Sequence, residues 1–106
     1  MGFFDRFRAP DINAGVQQFK STPHAMLVDV READEYAQGR IPGSINIPLS
    51  RLRDIESEID DYDTPLFVYC LSGGRSARAT AALVSMGYTA VNNIGGISAY
   101  NGKVES

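Results

Sequence analysis

The stretch Leu66-Phe67-Val68-Tyr69-Cys70-Leu71-Ser72-Gly73-Gly74-Arg75-Ser76 decides the fold. Pro65 opens a continuous apolar run to Cys70, short enough for a strand and apolar enough to be buried on both faces, as strands of parallel sheets are. Leu71 to Gly74 turn the chain, and a helix is predicted from about Arg75 to Met86. Its Ala77, Ala79, Ala81 and Ala82 allow close packing on a sheet, and Gly87 is its natural C-terminal cap. A strand, loop and helix in this order put the loop at the carboxyl edge of the sheet, where open α/β sheets bind their ligands.

The same grammar extends in both directions. Asp11 can cap a first helix through Lys20, with Ile12, Val16 and Phe19 on one face. Ala25 to Val30 reads as a buried strand, Glu32 to Gln38 as a brief helix ended by Gly39, and Ser44 to Ile47 as a second strand between Pro42-Gly43 and Pro48. A third helix is predicted over Ser50–Ile59, with Leu52, Ile55 and Ile59 as its apolar stripe. Asp60, Asp61 and Asp63 read as a solvated loop, and Thr89 to Ile94 as a fourth strand before Gly95-Gly96. The alternation predicts an α/β fold: a three-layer single domain, with a mainly parallel sheet of roughly four to five strands and helices on both faces.

Composition narrows the function. A chain of 106 residues, 43% hydrophobic and 22% charged, has room for one core and needs no staple, so 1–106 is expected to be a single domain with 1–10 as an N-terminal extension. A net charge of −3 offers no cationic surface for nucleic acid. One cysteine and one histidine exclude an internal disulfide and a Cys/His zinc cluster, and neither metal nor organic cofactor is expected. The aromatic start, with Phe3, Phe4 and Phe7, is too short and charged for a signal peptide. Arg6 stands where a myristoylation motif wants Ser or Thr, and no run spans a membrane. Phe3, Phe4 and Phe7 are expected to pack on the domain edge, and the protein to be cytoplasmic, with no membrane partner.

Cys70 carries the chemistry. Gly73 and Gly74 permit backbone angles that turn successive N–H groups inward into an anion-binding nest, which the helix N-terminus reinforces. That field favours thiolate over thiol, and Arg75 can add its guanidinium. The alternative is a small buried hydrophobe at a strand end, with the glycines only making a turn; a cysteine ahead of a Gly-Gly-Arg-Ser turn at the site-bearing edge favours the reactive thiol. Ser72 and Ser76 can hydrogen-bond an anion or cap the helix, and the sequence does not choose.

These motifs resemble the rhodanese family, the single-domain sulfurtransferases. The resemblance runs through Leu27-Val28-Asp29-Val30-Arg31-Glu32, Glu35-Tyr36, Gly39 to Pro48, Val68 to Ser76, Gly87-Tyr88 and Gly95-Gly96-Ile97. It implies that Cys70 takes a sulfane sulfur from a donor such as thiosulfate, holds it as a persulfide and passes it to cyanide or a thiol. The amides from Leu71 to Arg75 would stabilise thiolate and persulfide. It also implies that Asp29 and Arg31, on one face of a strand end, brace the loop, with Glu35 pairing with the Arg. A structural salt-bridge network suits these charges better than direct catalysis.

Two other classes stay open: a non-turnover sulfur carrier serving a protein acceptor, and a phosphatase or arsenate-reductase-like enzyme. Tyrosine phosphatases separate Cys from Arg by five residues, whereas four separate Cys70 from Arg75, a narrower bowl that suits one sulfur atom. The chain departs from the family at Arg40, where many members have His, and at Tyr100, where many have Trp. Arg40 is expected to be solvated. Leu71 is apolar where efficient thiosulfate users carry basic residues. With one thiol, sulfur must leave to an external acceptor, and a lowered thiolate pKa removes the need for His24 as a base.

Overall fold

The computed structural model describes residues 10–106. The readings of Phe3, Phe4 and Phe7, and all of the N-terminal extension except Pro10, lie outside them. Asp11 caps α1 (Ile12–Ser21) by accepting the amides of Asn13 and Ala14 at 3.0 and 3.4 Å. Capping satisfies donors that the first turn leaves without carbonyl partners. Four strands follow: β1 (Met26–Asp29), β2 (Ser44–Asn46), β3 (Leu66–Cys70) and β4 (Val91–Gly96). They form one sheet in the order β2-β1-β3-β4, with every neighbouring pair parallel.

Alternation along the central strands sorts the core into two halves. Leu27, Phe67, Tyr69 and Ile94 pack with Ile12, Val16 and Ile41 under α1. Val28, Val30, Leu66, Val68 and Cys70 face the other way, onto Ile55, Ile59, Ala79, Leu83 and Tyr88. That second layer is built from α4 (Gly74–Met86) and the segment between β2 and β3. Each fully buried Leu, Ile or Val side chain contributes ~1.5–3 kcal/mol, so the two clusters hold helices to both faces.

Two elements differ from the sequence reading. The helix expected over Ser50–Ile59 is a 3-10 helix (Leu49–Asp54) followed by a short α3 (Ile55–Glu58), with Arg51 at φ −130 and ψ 36 breaking the continuity. Leu52, Ile55 and Ile59 are nevertheless all buried. The last strand runs to Gly96 rather than ending before the glycine pair, because Gly95 and Gly96 pair with Tyr69 and Cys70.

The topology fixes where a site belongs. From β1 the chain crosses through α2 (Ala33–Gln38) to β2 on one side, and from β3 through α4 to β4 on the other. The carboxyl ends of β1 and β3 therefore border the point where the winding reverses, where a crevice opens between the diverging connections.

Candidate active site

Cys70 is the last residue of β3, and its side chain points to the α4 face of the sheet. Gly73 has φ +109, a left-handed conformation that glycine adopts without strain, and it turns the chain directly into α4. The amides of Gly73 and Ser76 donate to the Cys70 sulfur at 3.0 and 3.3 Å, and the Ser76 hydroxyl lies 3.5 Å from it. Burial pushes the Cys70 thiol up, but the hydroxyl and amide of Ser76 and the amides of Gly73 and Ser72 outweigh it and hold the thiol below its ordinary value.

Neither serine side chain caps α4, since its N-cap is Gly73 without a side-chain bond. Ser76 is fully buried, with its hydroxyl 2.7 Å from Asn93 Oδ1 and 3.0 Å from the Gly73 carbonyl. Asn93 Oδ1 also accepts the Gly95 amide at 3.1 Å, which fixes the orientation of the side-chain amide. The sequence reading missed Asn93. Its only signal was a second asparagine, Asn93, on the alternate face from the exposed Asn92 of the same strand.

The glycine pair holds the loop from behind. A Cβ on Gly96 would collide with the Leu71 carbonyl and come within 2.6 Å of Ser72 Cα, so only glycine lets β4 lie this close. The Leu71 carbonyl accepts the Ser98 amide at 3.0 Å, and the Leu71 side chain is 45% exposed beside the buried thiol. Leu71, Gly74 and Arg75 make no amide contact with the sulfur. Gly74 and Arg75 lie ahead of the first α4 bond, from Ala77 N–H to the Gly73 carbonyl, so their N–H groups have no helical partner.

The charged residues are arranged differently from the expected pattern. Glu35 pairs with Arg75 rather than Arg31, in a two-pronged bridge of 2.7 and 3.0 Å. Arg75 thus leaves the sulfur to the backbone amides. The Arg75 guanidinium holds the Glu35 carboxyl down to about 2, helped by the Glu32 amide at 3.0 Å. Arg31 instead binds Asp29 through Nε and Nη2, the latter at 2.8 Å, and reaches the Gly39 carbonyl. Asn46 Nδ2 bonds the carbonyls of Asp29 and Arg31 at 3.0 and 2.9 Å. Asp29 and Arg31 therefore tie β1, α2 and β2 together and do not touch the Cys70 loop.

Arg40, expected to be solvated, stacks on Tyr36 at 4.9 Å and pairs with Glu105 at 3.5 Å. Tyr100 packs against the cluster under α1. His24 is exposed ahead of β1, at the end of the sheet opposite Cys70.

A thiolate beneath convergent amides can attack an electrophilic sulfur and hold the product anion in place. Comparison with known proteins points the same way. The family model described as "Rhodanese-like domain" matches residues 13–103. The chain is 39% identical to the thiosulfate sulfurtransferase PspE of Escherichia coli over 66% of this chain and 68% of that one. It is 41% identical to YqhL of Bacillus subtilis over 77% of its length, and the match spans 65% of YqhL. Among solved structures, a rhodanese with anions from E. coli superposes with a TM-score of 0.71 at 34% identity, covering 76% of this chain and 96% of the other.

Proposed function

We propose that this chain, which belongs to the rhodanese-like domain family, is a sulfurtransferase that moves a sulfane sulfur from a donor such as thiosulfate to cyanide or a thiol through a persulfide on Cys70. The observation that carries this reading is the convergence of the Gly73 and Ser76 amides on one sulfur atom, at 3.0 and 3.3 Å. These donors favour the thiolate, which attacks the outer sulfur of the donor. The new Sγ–S bond forms as the donor's own bond to that sulfur breaks, and the remainder of the donor leaves with the bonding pair. The free amides of Gly74 and Arg75 are positioned in the same first turn to hold the added sulfur.

The sequence holds no second cysteine, so the persulfide is discharged by an external nucleophile. Cyanide or a thiol attacks the outer sulfur and returns Cys70 as thiolate. Thiocyanate formation from thiosulfate and cyanide tests the reading. The wild-type chain turns over, and Cys70→Ser does not; equal rates in the two proteins would end the assignment.

A second reading, a sulfur carrier that discharges to a partner protein, is favoured by one feature. Leu71, next to the nucleophile, exposes an apolar side chain at the lip of the loop. Stoichiometric loading of Cys70 without multiple turnover by small molecules would support it.

A further inference from the structure

We propose that the cleft between α1 and the chain that follows β4 binds a small dicarboxylate, with one carboxylate on Lys20, the other on Lys103, and an apolar body between them. The cleft is separate from Cys70, whose sulfur faces α4, whereas its Ile41 and Tyr100 belong to the cluster under α1.

Of the ten cationic side chains in the sequence only two are lysines, Lys20 and Lys103, and both line this one cleft of about 480 Å³. The ion pairs among the described residues all use arginine. Lys20 stands in the last turn of α1 and Lys103 on the C-terminal segment across from it, each of them exposed. Of the side-chain carboxylates on those two segments, Asp11 caps α1 and Glu105 pairs with Arg40 at 3.5 Å. Pro10, the first described residue, lies on the other flank of α1 with Ala14 and Gln18.

The walls are fixed by the chain itself. Asn13 Nδ2 donates to the Ala99 carbonyl at 3.1 Å, and Asn13 Oδ1 accepts the Asn101 amide at 2.8 Å. Further along, Arg40 and Glu105 exchange backbone hydrogen bonds of 2.8 and 2.9 Å. Between these two clamps the chain passes close over Tyr100, since a Cβ on Gly102 would collide with the phenol. The floor is Pro42 and the buried Ile41, whose amide donates to the Tyr69 hydroxyl at 3.1 Å. A site held open in this way loses little ordering entropy on binding.

The donors specify the ligand. Each lysine is a compact charge with three N–H donors, and the lining includes no arginine fork of the kind that grips phosphate. Two such charges on opposite walls call for two carboxylates. Ile41, Pro42 and Tyr100 between them call for an apolar link. Gln17 and Asn101 add side-chain amides that can donate to the same oxygens.

The test titrates isotope-labelled protein with glutarate, butyrate and inorganic phosphate and follows backbone and side-chain amide NMR signals. Glutarate is expected to move Asn101, Gly102, Lys103 and the Gln17 side-chain amide, saturating with a Kd of about 1–10 mM. Butyrate, with one carboxylate and an apolar tail, should bind about threefold to fivefold more weakly. Lys20→Gln and Lys103→Gln should each weaken glutarate by a similar factor, since one exposed ion pair is lost each time. Both lysines are exposed, so the variants keep the fold, and the butyrate comparison needs no variant. Added salt weakens glutarate further. Shifts that do not saturate, shifts that miss these residues, equal binding of butyrate and glutarate, or glutarate binding unmoved in either variant overturn the inference. Phosphate bound at the same residues as tightly as glutarate marks an adventitious ion only and overturns it too. None of these outcomes bears on persulfide formation at Cys70.

Discussion

Glu35 and Arg75, 40 residues apart in sequence, join α2 to the first turn of α4 through two hydrogen bonds of 2.7 and 3.0 Å. The bridge crosses the crevice where the winding of the sheet reverses, so it fastens the two connections that border Cys70. Both side chains are a little under one-third exposed, at 28% and 29%, which limits its worth to about 1 kcal/mol.

Stability should therefore show the pair through pH. The folded-state carboxyl of Glu35 lies at about 2, below its ordinary 4.5, so its contribution is fully present above about 4.5 and lost as pH falls towards 2. Denaturant unfolding of wild type and Glu35→Gln is expected to differ by about 1 kcal/mol at pH 7 and to converge near pH 2. A gap that stays constant over that range would assign the difference to packing instead.

The buried pair behaves differently. Asp29 and Arg31 are 0% and 7% exposed at their side chains, and removing the carboxylate strands a buried guanidinium. Asp29→Ala is expected to cost ~3–5 kcal/mol at pH 7 by the same measurement. A loss as small as that of Glu35→Gln would mean that Arg31 finds water or another acceptor.

Reactivity of the thiol reports the nest. Iodoacetamide alkylation of Cys70 should reach half its maximal rate at lower pH than free cysteine does, because Ser76, Gly73 and Ser72 outweigh burial. Ser76→Ala keeps the amide at 3.3 Å and removes only the hydroxyl, so its profile moves towards higher pH. An unmoved profile would leave the amides as the sole source of the effect and assign the Ser76 hydroxyl to Asn93 alone.

Close approach of β4 to the loop predicts a contrast between two glycines. Gly96→Ala puts a Cβ into the Leu71 carbonyl, whereas a Cβ on Gly74 meets nothing within 4 Å. The first is expected to cost ~1–3 kcal/mol and to slow Cys70 loading by displacing the loop. The second should stay within about 0.5 kcal/mol of wild type. Equal stability of the two variants would show that the loop yields freely.

The parts of this architecture that depend on local signals were legible in the sequence. Asp11 and the Ile12, Val16 and Phe19 spacing mark α1, and the unbroken run from Leu66 to Cys70 marks β3 with the loop that follows. The segment from Leu49 to Glu58 was not, because Leu52 to Ile55 is a step of three and Ile55 to Ile59 a step of four. The step of three suits a 3-10 helix as well as an α-helix, and Arg51's backbone decides where the continuity breaks. The expected strand stops at Ile94, yet Gly95 and Gly96 belong to β4: they pair with Tyr69 and Cys70, and the loop packed on Gly96 leaves no room there for a side chain. Arg31, the partner that the resemblance implies for Glu35, gives way to Arg75 for a similar reason: both arginines suit a carboxylate, and tertiary placement alone chooses between them.

The most direct test of the sulfurtransferase account is the intact mass of the protein after incubation with a sulfane-sulfur donor, and again after adding cyanide. The account predicts the gain of one sulfur atom, located on Cys70, and its complete removal by cyanide, with no gain in Cys70→Ser. A wild-type mass that neither thiosulfate nor a hydropersulfide changes would contradict it.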